Sequence, residues 1–71
     1  MNGNELTVRE SEVLQLIATG KTNHQTGVSL FITEGMVKTH VNNILNKLNT
    51  HDRTEAVILA LKRGIITLDP A

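Results

Sequence analysis

Residues 33–48, Thr-Glu-Gly-Met-Val-Lys-Thr-His-Val-Asn-Asn-Ile-Leu-Asn-Lys-Leu, constrain this chain more than any other stretch. Thr33 is a helix-cap residue. Val37, Val41, Ile44, Leu45 and Leu48 then recur at i, i+4, i+7, i+8 and i+11, the spacing of one buried helical face. The opposite face carries Lys38, Thr39, Asn42, Asn43 and Asn46. It offers hydrogen-bonding groups and a cation, with no carboxylate after the first turn. Such a surface suits a helix in the major groove of DNA, where base edges present donors and acceptors and phosphates repel acids.

Three more helices have their own start signals. The first is expected over residues 8–19, with Thr7 as cap and Glu10 completing a capping box. Val13, Leu14, Leu16, Ile17 and Ala18 give it an apolar stripe, and Gly20 can end it. The second, over 23–30, opens on another capping box, Thr22 with Gln25. Thr26, Gly27 and Ser29 are poor helix formers, an interior glycine costing roughly 1 kcal/mol against alanine, so packing of Val28 and Leu30 must hold it. Phe31 and Ile32 make a tight connection to the helix of residues 34–48, which Asn49 can stop. The fourth, over 53–63, starts from the cap Asp52 with Glu55 three residues on, and Gly64 follows it. Ala56, Val57, Ala60 and Leu61 can pack on the domain. Ile58 and Leu59 then point elsewhere, which in so small a chain suggests burial against another chain.

Seventy-one residues make one small domain. Without cysteine there is no disulfide and no thiolate metal site, which fits the cytoplasm. No segment approaches the roughly 18 apolar residues that span a bilayer, and no secretory signal is visible, so no membrane role is expected. Net charge is zero, which argues against a sequence-blind nucleic-acid binder. Its distribution says more. Residues 1–20 set Arg9 against Glu5, Glu10 and Glu12, whereas residues 21–50 set Lys21, Lys38 and Lys47 against Glu34 alone. The middle third is the side an anion would approach, although surface scatter alone gives imbalances of this size. Residues 1–5 and 67–71 are expected to be flexible ends.

The helices of residues 23–30 and 34–48, joined by about three residues, have the layout of a helix-turn-helix. The rest of the chain sharpens this. Leu6-Thr7-Val8-Arg9-Glu10, Val13-Leu14-Gln15-Leu16-Ile17-Ala18, Gly20-Lys21-Thr22-Asn23, Leu30-Phe31-Ile32-Thr33-Glu34, Val37-Lys38-Thr39-His40-Val41, Ile44-Leu45, Lys47-Leu48, Asp52-Arg53-Thr54, Ala56-Val57 and Gly64-Ile65 match in order. With these residues the chain closely resembles the LuxR/GerE-type DNA-binding domain, also the output domain of NarL/FixJ-type response regulators. The resemblance covers residues 6–66.

It implies an all-α, four-helix domain of a transcription regulator that dimerises through its fourth helix on two-fold-related DNA half-sites. By position, Lys38, Thr39 and Asn42 are expected at base edges, and Asn23, Thr33, His40, Lys47 and Arg53 at the DNA backbone. Glu55, Ile58, Leu59 and Lys62 are expected at the homodimer interface, and RNA polymerase is a further candidate partner. Three positions depart from the family pattern. Thr26 and Gly27 stand where isoleucine and alanine are usual, and Met36 where threonine is usual. The first pair loses core packing, and Thr26 must find a hydroxyl partner or cost roughly 1–3 kcal/mol.

Each assignment has a blander alternative. Lys38 can touch a base, a phosphate or only solvent, and Asn42 can pair with adenine or bridge through water. Thr39 fits a thymine or a phosphate, while Asn43 and Asn46 lie further round and are more often solvent groups. His40, flanked by Val37 and Val41, can reach a phosphate or simply pack. Arg53 can pair with a nearby acid or contact phosphate, and Met36 is more often packing than chemistry. His24, His40 and His51 lack metal-ligand spacing, and no cofactor motif appears. Ser11 and Ser29 have no histidine and acid in a catalytic arrangement, so an enzyme is not expected. A sigma-factor region-four-like module and a helical protein-interaction module remain the rival readings, and a salt-dependent gel shift separates the latter from a DNA binder.

Overall fold

Each of four helices begins where a side-chain oxygen replaces a missing backbone partner. A computed structural model describes residues 5–68 and gives α1 (Val8–Ala18), α2 (Asn23–Leu30), α3 (Glu34–Leu48) and α4 (Arg53–Lys62), with no strand among the described residues. Thr7, Thr22, Thr33 and Asp52 are the N-caps, all extended, each accepting from the third helical N–H. The capping boxes of α1 and α2 are both reciprocal. The bounds of α2 and α3 fall where the sequence puts them, and α1 and α4 each end one residue earlier than expected.

α3 is the central element, packing on α1, α2 and α4, while α1 also packs on α2. Val37, Val41, Ile44 and Leu48 are buried along α3, against Val13, Leu14 and Ile17 of α1 and Ala56 and Ala60 of α4. Ile66, beyond the last helix, closes this core. Leu45 is only partly buried, at the edge of the stripe. Each fully buried aliphatic side chain contributes about 1.5–3 kcal/mol.

α2 departs from expectation. Leu30 packs against the core as expected, but Val28 is 63% exposed, and Thr26 and Gly27 are the buried residues. A Cβ on Gly27 would stand 2.7 Å from the Ile32 carbonyl oxygen, so only glycine lets the turn close this tightly. That closure is recorded in the Ile32 N–H donating to the Gly27 carbonyl at 3.0 Å. Gly27 therefore gains a close backbone approach where lost packing was expected. The Thr26 hydroxyl is buried with no hydrogen-bond partner among the described residues, as is that of Thr50. The cost foreseen for Thr26 stands.

Of the ends expected to be flexible, residues 1–4 and 69–71 lie outside the described residues. Thr67 does not: Gln15 donates to its carbonyl and accepts from its N–H, fastening the chain after α4 to α1.

Candidate nucleic-acid interface

The geometry starts from α3, whose buried stripe leaves the other side free. Lys38, Thr39, Asn42, Asn43 and Asn46 are all exposed, and Lys38, Thr39 and Asn42 form the i, i+1, i+4 group expected at base edges. The Thr39 hydroxyl donates to the Gly35 carbonyl at 3.2 Å, which commits its proton and leaves its oxygen able to accept. Lys38 lies 3.9 Å from Glu34 one turn earlier, and His24 of α2 reaches the other Glu34 oxygen, also at 3.9 Å. The Glu34–Lys38 pair was legible as an i, i+4 spacing; His24 joins it only because the turn folds α2 back beside α3. Such exposed pairs contribute little to stability. Met36 is 48% exposed, on the surface rather than in the packing.

The residues expected at the DNA backbone divide. Thr33 is exposed at the start of α3, its oxygen accepting from the Met36 N–H at 3.0 Å and its proton still free to donate. His40 is half-buried beside the core stripe. Asn23 and Arg53 are brought together: the Arg53 Nη2 donates to the Asn23 Oδ1 at 2.7 Å, joining the first residues of α4 and α2. The acid partner considered for Arg53 is thus replaced by an amide oxygen. Lys47 is turned toward α1, its Nζ 2.8 Å from the Glu10 Oε1, with the carboxylate almost wholly buried. Burial pushes the Glu10 carboxyl up, but hydrogen bonds from Lys47 and Thr7 and the Lys47 charge outweigh this and hold its pKa below the ordinary value. The side chain that completes the α1 capping box therefore also anchors the far end of α3.

On α4, Glu55, Ile58, Leu59 and Lys62 line one shallow depression with Asn49, Thr50, Asp52 and Thr54. Ile58 is 49% exposed there, whereas Leu59, expected to point away from the domain, is half-buried against its own core. Among the described residues no helix is long and apolar enough to cross a membrane, and no three His, Cys, Asp or Glu side chains gather to hold a metal ion. The exposed Phe31, the only aromatic residue of the chain, holds a left-handed backbone with φ of 59° at the end of α2. Nothing in its residue type announces that conformation.

Comparison with known proteins agrees with this geometry. The family of bacterial regulatory proteins called the luxR family matches residues 4–60. The transcriptional regulatory protein DegU of Brevibacillus brevis is 52% identical over 59 residues, covering 83% of this chain and 25% of its own length. LiaR of Bacillus subtilis (strain 168) is 52% identical over 61 residues, covering 86% of this chain and 29% of its own. The response regulator protein VraR of Staphylococcus aureus (strain NCTC 8325 / PS 47) is 51% identical over 61 residues, covering 86% of this chain and 29% of its own. The chain therefore spans between a quarter and a third of the length of these relatives. The structure of the transcription factor GerE superposes with a TM-score of 0.87 at 33% identity, covering 90% of this chain and 96% of that one. Order of caps, four-helix packing, sequence identity and superposition converge: the chain belongs to the LuxR family of bacterial regulatory proteins, as a helix-turn-helix DNA-binding domain of that type.

Proposed function

We propose that this domain binds duplex DNA sequence-specifically as the output domain of a bacterial transcription regulator, with α3 in the major groove. Two copies pair through α4, and their two-fold relation sets the spacing of half-sites. The observation that carries the reading is the outer face of α3, where Lys38, Thr39 and Asn42 are exposed together on a helix whose other side is the domain core. Lys38 and the carboxamide of Asn42 supply donors for base edges, and the methyl of Thr39 suits thymine. Thr33 and Asn23 hold the sugar-phosphate strand, with His40 at the edge of the contact. Lys47 stays with Glu10, so the pair is neutral and holds the end of α3 rather than the phosphates. The DNA target places the action in the cytoplasm.

Selection of bound duplexes from a random pool tests this directly, because it returns both a half-site and a spacing. Lys38→Ala weakens binding to the selected duplex by about 1–3 kcal/mol. An unchanged affinity in a titration removes Lys38 from the reading face. Ile58→Glu, at an exposed position of the same face, shifts the chain toward monomer while leaving its helical signal intact; a sedimentation profile identical to wild type counts against α4 as the pairing surface.

A further inference from the structure

We propose that Arg53 is a positioning residue for DNA contact, acting through Asn23 rather than by touching phosphate itself. The inference rests on the DNA-binding reading above and deepens it. Arg53 Nη2 donates to the Asn23 Oδ1 at 2.7 Å. A guanidinium has only donors, so the carboxamide must turn its oxygen toward Arg53 and its NH2 group away. Asn23 is half-buried at the first residue of α2, and its Nδ2 makes no hydrogen bond among the described residues. The amide is thus held in one of its two orientations, the one that presents two N–H donors. The bond also polarises it: an amide whose carbonyl accepts from a cation donates more strongly from its nitrogen. A polarised N–H pair left without a partner is what a phosphate oxygen binds. Arg53 comes from α4 and Asn23 from α2, two helices that pack mainly on α3, so this bond ties the proposed pairing helix directly to the start of the helix-turn-helix.

The test is a double-mutant cycle on the 71-residue chain, using the duplex recovered by selection and measuring affinity across a salt series. Arg53→Met keeps an unbranched aliphatic stem at the rim of the depression that Arg53 lines with Ile17, Ala18 and Val57, and removes the guanidinium. R53M and N23A each weaken binding roughly three- to tenfold, and the double variant binds no worse than the weaker single one. The salt slope of R53M stays close to that of wild type. Penalties that multiply in the double variant, or a slope that falls by about 0.9 in R53M, overturn the proposal, since both mark a direct phosphate contact. If R53M does not fold, the side-chain amide resonance of Asn23 in the wild-type chain decides. It shifts on adding duplex, and a resonance that stays put overturns the proposal. A wild-type chain that shifts no duplex at any salt overturns the DNA-binding reading beneath it, and is told apart because no variant is involved.

Discussion

α1 and α2 begin with the same local device and put it to opposite uses. Thr7 with Glu10 and Thr22 with Gln25 are both reciprocal capping boxes, with near-identical bond lengths. In α1 the third helical residue is a carboxylate, buried and clamped by Lys47 from the far end of α3. In α2 it is the neutral isostere, exposed beside the proposed DNA surface. A carboxamide caps a helix as a carboxylate does without repelling phosphate. The contrast continues inward. α1 buries Val13, Leu14 and Ile17, whereas α2 buries an unpartnered threonine and a glycine. One helix holds the domain together; the other is held, and its composition answers to what lies outside.

The largest effect belongs to the anchored box. Glu10→Ala loses the cap and strands a half-buried ammonium, costing about 2–4 kcal/mol in a urea melt. Its pH dependence has a definite sign. The folded Glu10 pKa lies below the ordinary 4.5, so its contribution is present above that value and fades as pH falls through the lower folded one. The stability gap between wild type and Glu10→Gln therefore narrows as pH falls below the ordinary 4.5. A gap that widens in acid contradicts the assignment.

Gly27→Ala ranks next. The new methyl meets the Ile32 carbonyl oxygen, and overpacking outweighs the gain in helix propensity, for a net loss of about 1–2 kcal/mol. A thermal melt showing stabilisation means the turn yields more easily than its geometry implies. Gln25→Glu turns the exposed box into a copy of the buried one. Stability rises by a few tenths of a kcal/mol through the helix dipole while duplex affinity falls by about 1 kcal/mol. Equal affinity in a gel shift removes the electrostatic reason for a neutral cap. Smallest is Thr26→Val, which replaces the unpartnered hydroxyl by a methyl and stabilises by about 0.5–1 kcal/mol in the same melt.

What the sequence disclosed follows from distance along the chain. Caps, helix starts and the two faces of α3 depend on residues within three to eleven positions, and they stand where the spacing puts them, while α1 and α4 end one residue early. The Glu10–Lys47 and Asn23–Arg53 bonds join residues 37 and 30 apart, and no local pattern announces them. Lys47 and Arg53 were therefore legible as cations near the surface but not as clasps. Val28 fits a helical apolar position, yet the tight turn at Gly27 brings α2 onto α3 by its neighbours instead. Phe31 was visible as a connection, while its left-handed backbone is imposed by the turn it terminates.

The clasp between Gln15 and Thr67 carries a practical consequence. A side-chain amide there stands in for the edge of a neighbouring strand, gripping both polar groups of one peptide residue. Ile66 is threaded into the interior just before that grip. A fusion or trim made at the last helical residue, sensible by eye, would unlatch the plug that seals the bottom of the domain.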